Sequence, residues 1–281
     1  MTALSMHYAS MPIFEKIFIS WANSTKPTLF LEHKHKYSAL EHVHVLYTDD
    51  SLNARFEPPR GLTTACVFIS DDDMFVSETT VLSMYRLWSS NNNQLVGLWP
   101  RGHEVDVKGQ YRYTSRPLHS FSMVLTKFMV LNSRYLELYT NEALQNIRDY
   151  IDSVHNCEDI AMNYLVSATT QLPPLYVHDG RKVDFGGKSG IYTRTGHSES
   201  RNTCVSDISK MMGDIQLVTS FKSYSALNLE EKSFKEDTFK SIALESSEWE
   251  SILRARQCSF ASGRRVLECT SRMISGTLGV L

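Results

Sequence analysis

A run of apolar residues that ends in three aspartates is the feature that most restricts the fold of this chain. Residues 65–69 are apolar on both faces, which is typical of a central strand in a sheet covered by helices on both sides. After one serine, Asp71, Asp72 and Asp73 follow at the point where such a strand would end. Ligands of open α/β sheets bind beyond the carboxyl ends of the strands. The pattern therefore predicts an α/β fold with an acidic site at one edge of the sheet.

The aspartate triplet has two interpretations. A run of charge is often a solvated acidic turn. Three adjacent carboxylates also repel one another, and a divalent cation would neutralise them. The triplet alone does not choose between these interpretations.

Bulk composition narrows the class of protein. A chain of 281 residues with 42% hydrophobic content predicts one large α/β domain with an appendage. The net charge of -2 argues against nucleic acid as a partner. We expect neither a membrane span nor a secretory signal in the sequence as written. Five cysteines without a CxxC pair leave open free thiols or one or two disulfides.

Alternating strand and helix patterns predict a mostly parallel sheet that becomes mixed. Strands are expected at 14–20, 42–47 and 65–69, and helices at 81–88, behind Ser77 or Thr79 as cap, and at 144–154. The β-rich stretch 110–131 predicts an antiparallel edge. We place one domain at 1–219. Residues 220–281 are expected to form an irregular or partly disordered tail, with one helix near 249–255.

A second pair of carboxylates, Glu158 and Asp159, begins an apolar helical segment. Acids in a first turn are favoured by the helix dipole, so a purely structural role is one interpretation. The other is glycosyl chemistry, which uses a free carboxylate near metal-bound acids. Arg55, Arg101 and Arg201 are candidates for binding phosphate, although each alone is typical of an ordinary salt bridge.

Taken together, these motifs resemble the glycosyltransferase domain of the exostosins and exostosin-like proteins. The resemblance covers about residues 5–218 and agrees in order and spacing. It is carried by Asn53-Ala54-Arg55-Phe56, the aspartate triplet, Val96-Gly97 with Pro100-Arg101-Gly102-His103, Ser122-Met123-Val124-Leu125, the block from Asn156 to Asn163, and Arg201 with Cys204.

This resemblance implies a GT-A fold that binds a UDP-sugar and Mn²⁺, with Mg²⁺ as an alternative, and transfers N-acetylhexosamine with retention of configuration. Asp73 would bind the metal, Asp159 would be catalytic, and Cys157 and Cys204 would form a disulfide. The implied donor-binding residues are Asp50, Arg55, Asp71, Asp72, Glu158 and Arg201. The acceptor would be a glycan, with a uronic-acid terminus among the options.

The resemblance also implies a cellular location, and this chain differs from its relatives at one point. The setting is the lumen of the endoplasmic reticulum or Golgi, in association with a membrane, with a homo- or hetero-oligomer of related glycosyltransferases left open. The difference is that this chain opens at about His7-Tyr8, a pair that follows the first strand and a helix in relatives. We therefore expect a sheet that lacks its first strand. Two alternatives to an active glycosyltransferase therefore stay open. One is an inactive binding or assembly partner, and the other, more remote, is a metal-dependent phosphoesterase.

Overall fold

The computed structural model describes residues 2–107, 109, 111–186 and 196–227, and four strands at 231–233, 258–260, 267–269 and 278–280. The α-helices are α1 Thr2–Ala9, α2 Thr28–Lys36, α3 Glu78–Ser90, α4 Arg134–Thr140, α5 Gln145–Val154, α6 Glu158–Thr170 and α7 His197–Met211. The strands are β1 Ile17–Trp21, β2 Val43–Tyr47, β3 Cys66–Asp71, β4 Met74–Val76, β5 Val96–Gly97, β6 Pro100–Val105, β7 Tyr111–Thr114, β8 Met123–Val124, β9 Phe128–Asn132, β10 Leu175–His178, β11 Lys182–Asp184, β12 Lys222–Ser225, β13 Glu231–Ser233, β14 Cys258–Phe260, β15 Leu267–Cys269 and β16 Leu278–Val280.

The main sheet has nine strands in the order β13-β12-β10-β5-β9-β3-β16-β1-β2. β1 and β2 are parallel, as are β10 with β5 and β10 with β12, whereas β9 is antiparallel to both of its neighbours. The mixed α/β sheet flanked by helices that the sequence predicted is confirmed. α3 begins after Ser77, whose side chain accepts a hydrogen bond from the backbone of Thr80, so the predicted cap is correct.

The antiparallel strand is not at the edge of the sheet, and that prediction was wrong. β9 lies in the middle, between β3 and β5, while β7 pairs with β6 in a separate three-stranded sheet. The reason is burial on both faces. Residues 128–131 of β9 are all buried, which suits a central position, whereas β7 has an exposed residue and no fully buried one.

Two apolar layers sandwich the main sheet. On one face, α1 and α3 pack against the sheet, with Tyr8, Met84 and Trp88 among the buried residues. On the other, α4, α5, α6 and α7 pack through residues such as Tyr139 and Ile160. This sandwich explains why β3 is apolar on both sides.

A strand from the far end of the chain lies between β1 and β3. β16 is antiparallel to both, so β1 and β3 run parallel to each other. The sequence led us to expect a sheet without its first strand, and a C-terminal strand is inserted at this central position.

The region beyond residue 219 contributes to the main sheet through β12, β13 and β16. β14 and β15 form a separate pair that sets Cys258 opposite Cys269. The predicted helix near 249–255 lies outside the described residues, and the division between domain and tail at residue 219 stays a prediction.

Candidate active site

Acidic side chains gather where the parallel strands β1, β2 and β3 end. Asp71 is the last residue of β3, and Asp72 and Asp73 form the turn into β4. Asp50 is exposed in the segment that follows β2. Because these strands run in the same direction, their carboxyl ends meet at one edge of the sheet.

A single buried arginine joins this edge to the second pair of acids. Arg55 lies in a short 3-10 helix, Leu52–Phe56. Its Nη1 donates to Oδ1 of Asp71 at 3.0 Å and to the hydroxyl of Thr126 at 2.8 Å, and lies 3.5 Å from Oε1 of Glu158. The side chains of β3 and of the start of α6, 87 residues apart in sequence, therefore meet around one guanidinium.

Burial makes this contact electrostatically strong. Arg55 and Glu158 are only 8% and 7% exposed. Burial acts to lower the pKa of Arg55, but the carboxylates of Glu158 and Asp71 outweigh it and raise the pKa. Burial raises the pKa of Glu158, against the opposing effect of Arg55. Neither charge could lose its partner without a large cost.

A second arginine holds the other acid of α6. Nη2 of Arg201, on α7, lies 2.6 Å from Oδ2 of Asp159, and its Nη1 donates to Oδ1 of Asn156 at 3.2 Å. The guanidinium lies over the ring of Tyr113, 4.3 Å from the centroid. Burial works against the charge of Arg201, but Asp159 in particular raises its pKa. The buried Nε of Arg201 has no acceptor within the described part of the chain.

A disulfide links the two helices that carry this ion pair. Cys157 precedes α6 directly, and Cys204 lies three residues after Arg201 on α7. The predicted bond between them is confirmed. Cys157 has a left-handed backbone, with φ of 83°, so α6 starts after a sharp turn. The bond therefore braces Asp159 against Arg201 from one side.

The aspartate turn is less completely paired than α6. Burial, followed by repulsion from Asp73 and Asp71, raises the pKa of Asp72 to about 6. Burial and Asp71 likewise raise the pKa of Asp73 to about 6. Oδ1 of Asp73 is buried, and no described residue donates a hydrogen bond to it. A divalent cation bound by these carboxylate oxygens would offset the repulsion, so the aspartates of this turn are suitable ligands for such a cation. Across the described residues, no three His, Cys, Asp or Glu side chains form a ready-made metal cluster.

A glycine lets the segment after β11 approach Asp73 closely. A Cβ on Gly186 would come within 1.9 Å of Oδ2 of Asp73 and 3.0 Å of Oδ1 of Asp184. Lys127 forms an ion pair with Asp184 beside them. Only a residue without a side chain leaves the Asp73 carboxylate where it is.

The comparison with protein families identifies the family of this chain. The glycosyl transferase family 64 domain matches residues 1–228. The chain belongs to glycosyltransferase family 64. The predicted likeness to the exostosin glycosyltransferase domain is thereby confirmed.

Individual relatives of this family 64 chain differ in how much of their own length it covers. It is 34% identical to glycosylinositol phosphorylceramide mannosyl transferase 1 of Arabidopsis thaliana over 79% of this chain and 72% of the relative. It is 29% identical to glycosyltransferase family protein 64 C3 of the same plant, over 76% and 71% of the two chains. It is 32% identical to exostosin-1a of Danio rerio over 73% of this chain, but only 29% of that relative.

Two further candidates in this family 64 domain lie on the three-stranded sheet. Arg101 donates to the carbonyl of Pro100, and His103 contacts the hydroxyl of Ser122, on the β6–β8 sheet. Sequence reasoning missed the contacts of Thr126, Tyr113 and Gly186. Thr126 directly follows the Ser122–Leu125 motif, which was a usable signal. Tyr113 and Gly186 had none, because their contacts depend on how distant segments pack.

Within the described residues, no helix has the length and apolar character needed to cross a bilayer.

Proposed function

We propose that this domain transfers an N-acetylhexosamine from a UDP-sugar to a glycan acceptor, with retention of configuration and with the help of a divalent cation. The observation that carries the proposal is the contact of Asp71 and Glu158 with the same buried guanidinium of Arg55. It unites the acids that follow β3 with those that start α6. Membership of a glycosyltransferase family supports the reaction class, and the likeness to exostosins supports the donor.

The cation would be held by Asp73, with Asp71 and Asp72 beside it, and would be Mn²⁺ or Mg²⁺. When bound, it would supply positive charge against the diphosphate leaving group. Two observations support this assignment: the turn is partly buried, and no described residue donates to Oδ1 of Asp73.

Asp159 is the proposed catalytic carboxylate. Arg201 holds one of its oxygens, and the backbone N–H of Ile160 donates to the other at 2.9 Å. A carboxylate fixed in this way can orient the donor sugar and stabilise positive charge at its anomeric carbon. Arg201 would also contact the diphosphate and add positive charge where the leaving group develops negative charge. Glu158 and Arg55 would position Asp71.

Retention requires the new bond to form on the face that the leaving group occupied. The bond between the anomeric carbon and the diphosphate oxygen breaks, and the acceptor oxygen bonds to that carbon. The acceptor's proton passes to the departing phosphate oxygen, so a separate protein base is not required. Asp50, exposed at the end of β2, would lie near the ribose.

The proposed setting is the lumen of the secretory pathway. The disulfide between Cys157 and Cys204 supports it, because such bonds persist in oxidising compartments. Association with a membrane, a uronic-acid acceptor and assembly with related glycosyltransferases remain parts of this proposal.

A second candidate is mannosyl transfer to a phosphorylceramide glycolipid. It is favoured by the plant relative named for that activity, which this chain matches over 72% of its length. The same acids and arginines would serve this reaction, because charge develops in the same places on either sugar.

The deciding experiment is a titration of UDP and of GDP against the purified chain, with and without Mn²⁺, followed by transfer assays with UDP-N-acetylhexosamines and with GDP-mannose. We expect binding of UDP that depends on Mn²⁺, and retained configuration in the product. Binding of GDP with mannosyl transfer would support the second candidate. No cation-dependent affinity for either nucleotide at millimolar concentration would overturn the enzyme proposal and leave an inactive binding partner.

A further inference from the structure

The side chain of Lys127 is a positive charge beside the aspartate turn that the proposed reaction does not use. Lys127 lies directly before β9, and its carbonyl oxygen accepts the backbone N–H of Asp71 at 3.0 Å. Its ammonium group forms an ion pair with Asp184, the last residue of β11. Lys127 therefore connects the acids that follow β3 with the acid that ends β11.

Asp184 also comes close to Asp73. A Cβ on Gly186 would lie 1.9 Å from Oδ2 of Asp73 and 3.0 Å from Oδ1 of Asp184. The backbone holds the two segments together, because the N–H of Phe185 donates to the carbonyl oxygen of Asp73 at 2.9 Å. The N–H of Gly186 donates to Oδ1 of Asp184 at 2.9 Å. The two carboxylates are therefore near enough for one positive charge to interact with both.

The ammonium group of Lys127 acts on both carboxylates. Burial, Asp71 and Asp184 raise the pKa of Asp73, and Lys127 acts in the opposite direction. The side chain of Lys127 is only 17% exposed and that of Asp184 is 40% exposed. Solvent and salt screen a partly buried pair less than a pair on the open surface. Lys127 therefore offsets part of the repulsion among these acids.

The contact of Lys127 with an aromatic ring is weaker than its ion pair. Its Nζ lies 5.9 Å from the centroid of the Trp99 ring, near the limit for a cation–π contact. Lys182 is closer to the same ring, with its Nζ 4.9 Å from the centroid. The position of the Lys127 ammonium group therefore depends mainly on the carboxylates, and anything that binds them would change it.

We propose that Lys127 is an internal counter-cation that competes with the divalent cation for Asp73 and Asp184, and so limits how tightly this site binds a metal. The inference rests on the proposed function, which assigns a cation to Asp73. One or two carboxylates, completed by water and by phosphate oxygens of a substrate, are a usual site for Mg²⁺. Asp184 is thereby a second carboxylate for the cation. The Lys127 ammonium group must leave Asp184 when a cation binds there, because like charges repel.

The test measures the binding of Mn²⁺ alone to the whole chain, from the electron paramagnetic resonance signal of free Mn²⁺. Lys127→Met keeps an unbranched apolar stem and removes the charge. We expect this variant to bind Mn²⁺ at least ~5-fold more tightly than the parent, because a competing positive charge is gone. Lys127→Arg is the matched control, and its affinity should stay within ~2-fold of the parent since the charge is kept.

A double variant tests whether Lys127 acts through Asp184. Asp184→Asn should weaken the binding of Mn²⁺ by ~3- to 10-fold, because one carboxylate is lost. In that background, Lys127→Met should change the affinity by less than ~2-fold, since the ion pair that holds the ammonium group at the site is already broken. A gain as large as in the parent background would overturn the role given to Asp184.

Urea denaturation without added cation separates competition from a purely structural ion pair. Lys127→Met should unfold at a lower urea concentration than the parent, because the acids lose a counter-charge, and Mn²⁺ should restore the difference. A loss of stability with unchanged or weaker binding of Mn²⁺ would overturn the inference.

Titration with UDP at saturating Mn²⁺ distinguishes this failure from that of the proposed function. If the parent binds UDP only with Mn²⁺ but Lys127→Met does not change the affinity for Mn²⁺, the inference alone is wrong. Tighter binding of Mn²⁺ by the variant, with no affinity of either chain for UDP, would support the inference and contradict the proposed function. No binding of Mn²⁺ to any of these chains would overturn both.

Discussion

The two acidic regions of the site are held in opposite ways. At α6, Glu158 and Asp159 are buried and each lies against an arginine, with a disulfide behind them. At the turn after β3, Asp72 and Asp73 have raised pKa values, and no described residue donates a hydrogen bond to one oxygen of Asp73. In the first region each carboxylate therefore has an arginine as partner, whereas in the second the neighbouring carboxylates still repel one another. A site that must hold its geometry and also admit a charged ligand needs both arrangements.

The largest expected effect is at the turn after β3. Asp73→Asn should weaken the Mn²⁺-dependent binding of nucleotide by more than ~100-fold, because the carboxylate proposed to bind the metal loses its charge. Calorimetric titration with UDP measures this. Stability without metal should not fall, since one of three adjacent negative charges is removed. Equal affinity in parent and variant would contradict the role of Asp73.

At α6, Asp159→Asn should leave UDP affinity within about 3-fold of the parent but reduce the transfer rate by ~100-fold or more. The amide keeps the size of the side chain and removes the charge that Asp159 is proposed to place beside the donor sugar. Single-turnover assays separate the two quantities. A variant that loses binding and transfer equally would show that Asp159 acts on the nucleotide.

Arg55→Met should lower the free energy of unfolding by about 3–5 kcal/mol, because it leaves Glu158 buried without its partner. Chemical denaturation provides the measurement. The matched control is the double variant Arg55→Met with Glu158→Gln, which should recover part of the loss since no uncompensated buried charge remains there. A single variant as stable as the parent would show that the pair is not electrostatically important.

Replacing both Cys157 and Cys204 with serine should cost ~2–4 kcal/mol of stability. The loss should be smaller than that for Arg55→Met, and it should appear in the parent under reducing conditions as well. Thiol alkylation checks the premise: both cysteines must be protected in the native oxidised chain. Free reaction of either one would refute the bond.

The smallest expected effect is that of Gly186→Ala. The added methyl group would displace the Asp73 carboxylate, so cation-dependent UDP affinity should fall about 3- to 10-fold, or up to ~1.4 kcal/mol. Gly180→Ala is the matched control, because its added methyl group would meet Thr80 and Leu98 instead. Equal losses in the two variants would mean that Asp73 is not specifically affected.

Much of this arrangement could be predicted from short stretches of sequence. The apolar run of β3, the acids that follow it and the first-turn acids of α6 are local features, and the spacing of the motifs indicated the family. The cysteine pair followed from that resemblance. The position of β9 could not be read in this way, because pairing partners in a sheet are distant in sequence.

The sequence by itself determined which residues are chemically capable and where helices and strands begin near them, since capping and periodicity act over a few residues. Only the tertiary structure decided that Arg55 and Arg201 are held in buried ion pairs, that Gly186 lies against Asp73, and that β16 enters the sheet. The physical reason is that burial and ion pairing depend on contacts between segments many residues apart, which compete for the same limited interior.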